Sequence, residues 1–173
     1  MRMSTETSGG RLAQLSEAAR ESTVKRLRAV GLGLEAWRPT AETMSFVDLA
    51  QHLIDADRWL FGVLDGQPAS PIVGLPGLAP ISTRAEYDEV LLALEVAGIE
   101  RARRLAGLSD ARLAECWCDP RFGPGTSLWW TIARGNLDHE IHHRGQISVY
   151  LRMTEGAHLQ ATAQQRAAPD APR

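Results

Sequence analysis

No stretch of this 173-residue sequence approaches the roughly 18–20 apolar residues that a bilayer-spanning helix needs. The first ten residues, Met1 to Gly10, lack the apolar core of a secretory leader, so the expected location is the cytoplasm. Cysteine is scarce as well. Cys116 and Cys118 are the only two, too close in sequence to close a useful structural loop, which excludes a disulfide scaffold and fits a reduced compartment. Positive charge is not in excess either: 19 Lys and Arg are interspersed with 21 Asp and Glu, for a net charge of -2. Binding to nucleic-acid phosphates depends on clustered Lys and Arg, so that class of partner is excluded along with the membrane. No strand pattern of any length and no internal repeat can be found.

What remains is helical. Hydrophobic residues make up 44% of the chain, enough for a single domain with a real core. A first helix is expected from about Arg11 to Leu34, with Leu15, Ala18, Ala19, Leu27 and Val30 on one side. It should end in the Gly31/Gly33 region before Trp37-Arg38-Pro39. Ser45 and Asp48 form a capping-box pattern that opens a second helix, whose apolar set Phe46, Leu49, Leu53, Leu60 and Val63 runs to the Asp65-Gly66 break. Residues 66 to 81 are rich in Pro and Gly and cannot stay helical. Thr83 and Glu86 form a full capping box for a third helix toward Leu105, and a short helical turn follows around Ser109 to Ala114. The fourth helix begins near Thr126 or Ser127 and runs to about Met153. The expected architecture is an all-α four-helix bundle over residues 11–155, with flexible tails at 1–10 and 156–173. Two connections are long for a bundle and permit a crossover between helices that are not neighbours.

Three histidines carry the chemistry. His139 and His143 are four apart on the fourth helix, so their directions differ by only about 40° and both rings can reach one ion. His52 lies mid-way along the second helix in an otherwise apolar face, where a facing helix could supply a third imidazole. Neutral imidazoles suit zinc, nickel, copper or iron, and three ligands leave a position open. Alone, His52 also reads as a core histidine with a satisfied hydrogen bond, and the pair as a solvated stripe. The string His139-Glu140-Ile141-His142-His143 matches the H-E-x-x-H pattern of zinc peptidases, but a third ligand is missing: Gln146 and Val149 stand where the extended motif wants Gly and His. Glu155 is about 18 Å along the helix from His143, too far to serve.

His52 in its Ser45-to-Asp65 helix, followed by His139-x-x-x-His143-Arg144-Gly145-Gln146, resembles the DinB-like superfamily, which includes the YfiT-like metal-dependent hydrolases and thiol transferases. The resemblance covers roughly residues 11 to 155. It implies a four-helix bundle of unusual connectivity, often dimeric, with the metal held by His52, His139 and His143. Members with an assigned activity mostly use low-molecular-weight thiols, transferring bacillithiol or mycothiol or isomerising maleylpyruvate with mycothiol. The metals expected are zinc or nickel first, then iron or manganese.

Projected on a regular α-helix, Ile132, Gly135, Asn136, Gln146 and Tyr150 share the metal direction, making Asn136, Gln146 and Tyr150 candidates to bind a cofactor or substrate or to orient a ligand. Asp48 or Asp55 could accept the second N–H of His52, although a solvated face fits them better. Trp59 could wall the pocket from two turns beyond His52. Arg144 points away from the metal and reads as a partner for another helix or subunit. Trp130, Leu137 and Ile141 give the fourth helix a second apolar face, which favours a homodimer. Cys116-Trp117-Cys118 reads as a reduced loop around a packing tryptophan, with a lid over the pocket as the alternative. The functional expectation is a metal-dependent enzyme that activates a thiol for transfer to a small-molecule substrate. The alternatives are a metal-dependent hydrolase, or a non-catalytic module that binds metal or a small ligand under stress.

Overall fold

The computed structural model describes residues 7–67, 72–117, 123 and 125–167, with side chains as far as Gly156. Both ends of the expected tails and Cys118 lie outside that set. The elements in chain order are α1 (Ser8–Arg28), α2 (Phe46–Leu64), α3 (Arg84–Ala106), α4 (Asp110–Ala114), α5 (Leu128–Ile132), a π-type turn (Ala133–Leu137) and α6 (Asp138–Ala167). Among the described residues there is no strand, and Cys116 and Ser127 form an isolated antiparallel bridge. No described helix is long and apolar enough to cross a membrane.

Side-chain caps set most of the boundaries. Ser45 and Thr83 each accept from the backbone N–H three residues on, and Asp48 and Glu86 reach back to complete both capping boxes. Ser127 caps α5 through the Trp130 N–H. Two helices differ from the sequence expectation. Helix α1 starts three residues early because Thr7 accepts from Gly10 N, and stops at Arg28, leaving Gly33 to turn at φ 82°. The fourth helix is broken near its start by the π-type turn and then continues past Met153 to Ala167.

The long helices α1, α2, α3 and α6 make the bundle. Helix α1 packs against α3 and α6, and so does α2, which puts α1 and α2 on one diagonal and α3 and α6 on the other. The connections 29–45 and 107–137 therefore each cross the bundle, as long loops allow.

The core is split in two. One apolar cluster joins Leu27, Phe46, Leu53, Leu91, Leu94, Ile147 and Tyr150. The other joins Leu12, Trp59, Leu60, Leu105, Leu128, Ile132 and Leu137. Between them lies a layer of buried charge with one residue from each long helix: Arg20, Asp57, Arg101 and Glu140. Arg20 donates to Asp57 at 2.8 Å and to Glu140 at 3.0 Å. Arg101 donates to Asp57 at 2.9 Å and pairs with Glu140 at 2.7 Å. Arg20 also donates to the Leu94 carbonyl, and Arg101 to Ser16 and Asn136. A Cβ at position 98 would lie 2.7 Å from Arg20 Cγ, so Gly98 gives the arginine its path across α3.

Burial alone would raise the Glu140 carboxyl, but Arg101 and Arg20 outweigh it and hold it at about 2. The stabilisation from Glu140 is thus complete above its ordinary 4.5 and is lost as pH falls toward 2. Arg101→Met, which strands two carboxylates on one cation, is expected to cost about 3–5 kcal/mol in urea unfolding at pH 7. Glu140→Gln, less stable at pH 7, should lose less stability than the wild type between pH 4.5 and 2. Identical acid slopes for the two proteins would refute this account of the layer.

Candidate metal centre

Helix α2 carries His52 seven residues past its Ser45 cap, and α6 carries His139 and His143 one turn apart. The packing of α2 against α6 brings the three rings together. His52 Nε2 lies 3.1 Å from His139 Nε2, and His143 Nε2 lies 2.8 Å from the same atom. Ring centroids are 4.5 to 4.8 Å apart, with the planes near perpendicular. Among the described residues no other His, Cys, Asp or Glu joins them.

Ring nitrogens this close need either an N–H of a neutral ring or a cation between their lone pairs. Imidazolium protons are a poor candidate. Burial pushes the His143 ring down to about 4; the Gln146 hydrogen bond opposes that shift, while His52 and His142 reinforce it. Burial also lowers His52, against smaller opposing effects from Asp55 and the Val73 main chain. Near neutral pH the His52 and His143 rings are therefore neutral, each with one N–H and one lone pair to offer. Tetrahedral coordination at about 2.0–2.1 Å per bond separates ligand nitrogens by about 3.3 Å; two of the pairs here stand at 3.1 and 2.8 Å, and all three ligand atoms lie within 4.8 Å of one another. The three histidines are positioned to hold a metal ion.

The supports around them are chain-specific. His143 Nδ1 meets Gln146 Oε1 at 2.5 Å, a bond in which Nδ1 donates and the Nε2 lone pair stays free for the centre. The 72–79 segment lies over His52: a Cβ at Gly74 would be 3.2 Å from His52 Cε1 and 2.9 Å from Met44 Sδ, so a side chain there would press on the ring and displace Met44. Asp48 anchors this strap, accepting from Gly77 N and Ala79 N at 3.1 Å each besides its capping bonds to Ser45.

The other residues singled out from sequence fall in different places. Asp48 is fully buried and binds the strap, neither solvated nor bonded to His52. Asp55 bonds Gln51 and pairs with Arg58. Asn136 is buried and bonds Ala56, Asp57 and Arg101 rather than facing the histidines. Tyr150 packs edge-on against Trp37 and Phe46. Trp59 belongs to the second apolar cluster. The expected second face of the fourth helix is not a face: Leu137 is core, Ile141 half-buried and Trp130 half-exposed. The reason is the π-type turn, which takes in one extra residue and rotates what precedes it by about 100° from a continuous α-helix. Glu140 points into the charge layer, which removes the base that an H-E-x-x-H peptidase needs. Cys116 is exposed in the bridge to Ser127. Arg20, Asp57 and Arg101 went unremarked in the sequence, where charged residues in amphipathic helices look like solvated positions.

An all-α bundle with a three-histidine centre between its second and last long helices defines a recognisable class. The chain belongs to the DinB superfamily: residues 15–147 match that family, a span containing all three histidines. No curated protein matches the chain.

In metal-free protein, His143 should titrate near pH 4 by NMR, and Gln146→Ala should move its midpoint lower still, because the Gln146 bond favours the charged ring. A midpoint near the ordinary 6.5 would show that the ring is solvated.

Proposed function

We propose that the protein binds one divalent transition metal through His52, His139 and His143 and uses it to activate a low-molecular-weight thiol for transfer to an electrophilic small molecule. The observation that carries this reading is the meeting of three Nε2 atoms with no fourth His, Cys, Asp or Glu beside them among the described residues. Structural zinc normally takes four protein ligands, whereas three leave a position for an exogenous one. Imidazole donors favour zinc or nickel over iron or manganese. Bound there, the ion would supply Lewis acidity that lowers the pKa of a coordinated thiol or water. The chain itself orients the rings, through Gln146 on His143 and the Gly74 strap on His52, and burial keeps His52 and His143 neutral. The thiol half of the proposal rests on membership of the DinB superfamily.

Protein purified without a His tag should contain about one equivalent of metal and conjugate thiols to an aryl-halide electrophile above background. His143→Ala should abolish both properties. Equal rates with and without metal would overturn the enzyme reading, and metal-dependent ester hydrolysis without thiol would move it to a hydrolase.

We also propose a homodimer, now through α1 and α3. Leu92, Val96 and Ile99 lie one turn apart and exposed on α3, beside a groove of about 760 Å³ rimmed by Glu17, Glu21 and Lys25 of α1. Antiparallel docking of two copies about Val96 sets the acidic end of one rim against the basic end of the other. Val96→Arg should therefore sediment as a monomer with its metal content unchanged; an unaltered dimer mass would exclude this face.

A further inference from the structure

The turn at Ala133–Leu137 has a job that the bundle alone does not require. Asn136, inside it, is 1% exposed and uses both ends of its amide. Its Nδ2 donates to the Ala56 carbonyl at 3.1 Å and to Asp57 Oδ1 at 3.2 Å, and its Oδ1 accepts from Arg101 at 3.2 Å. Ala56 sits one turn after His52 on α2, and Asn136 three residues before His139. In a continuous α-helix Asn136 would share the histidine direction. The extra residue of the π-type turn instead aims it at α2, while His139 and His143 keep facing His52. One amide thus ties the two histidine-bearing segments together within a turn of a histidine on each.

We infer that Asn136 is a positioning residue that fixes the separation between His52 and the His139/His143 pair, and so sets the affinity and geometry of the centre. The inference rests on the metal reading above. Its bonds to Asp57 and Arg101 hold the amide in orientation, and its bond to a main-chain carbonyl makes the link to α2 independent of side-chain rotation.

Cobalt(II) is the probe, read by its visible d–d absorption and by chelator competition, with thermal melting recorded in parallel. Asn136→Ala should bind cobalt about 10–100-fold more weakly, with an altered d–d band. The control is Ser16→Ala. Ser16 accepts from Arg101 at 2.7 Å in the same buried layer but lies on α1, which carries none of the three histidines. It should melt earlier with wild-type cobalt affinity and spectrum. Wild-type affinity and spectrum in folded Asn136→Ala would overturn the inference, as would equal cobalt losses in both variants, which would mean general loosening of the layer. If Asn136→Ala fails to fold, Asn136→Ser, which keeps one hydrogen-bonding atom, is held to the same comparison. Wild-type protein that takes up no cobalt would overturn the metal reading, and this inference with it.

Discussion

Four buried charges, one from each long helix, are the constraint on which the arrangement of this bundle depends. Arg20 and Arg101 each reach both Asp57 and Glu140, so no charge has a single partner. Apolar surfaces tolerate sliding, because one contact replaces another at little cost. A buried charge does not, since a shift of one turn, about 5.4 Å, would leave it desolvated and unpaired. Ion layers of this kind contribute little net stability compared with well-packed apolar residues, but they discriminate between registers. Each diagonal of the bundle carries one cation and one anion, so the layer also fixes which helices face each other when two connections must cross.

The same layer governs the histidines. Glu140 adjoins His139 and Asp57 follows His52 by five residues, so whatever sets the register of the charges sets the register of the rings. Glu140 and His139 leave α6 in different directions, one toward two arginines and the other toward two imidazoles. A single helical turn therefore serves the interior and the site at once, and the π-type turn before it lets Asn136 join the interior side. The strap over His52 is anchored separately, by Asp48 at the start of α2, and its Val73 main chain also acts on the ring.

Legibility in the sequence followed how local each signal was. The capping boxes at Ser45 and Thr83 are four-residue patterns and appear where the pattern put them, and the start expected near Thr126 or Ser127 is capped by Ser127. The pairing of His139 with His143 is one turn of helix and was equally plain. Contact of His52 with that pair needed the tertiary fold, and family resemblance supplied it. The π-type turn left no mark that periodicity could detect, so the projection of Asn136 and of the Trp130/Leu137/Ile141 face carried an error of about 100°. Asp48 looked solvated because half of its partners, Gly77 and Ala79, come from a Pro- and Gly-rich segment with no periodicity.

The charge balance of the centre bears on what completes it. Its three histidines bring no anion, and the adjacent layer of two arginines and two carboxylates sums to zero. No described carboxylate reaches the ring nitrogens; Asp55, which acts on His52 through space, is committed to Arg58. Among the described residues no protein anion would offset a dication held there, and the surrounding burial strengthens whatever field it creates. Such a field favours an anionic exogenous ligand over a neutral one and lowers the pKa of an acidic donor placed at the open position. A thiol gains more from this than a hydroxyl does. Its ordinary pKa is about 8.5, so a shift of about two units makes it mostly thiolate near neutral pH. A set of three neutral donors, with no carboxylate among the described residues beside them, would suit the thiolate chemistry proposed above and would equally lower the pKa of a bound water.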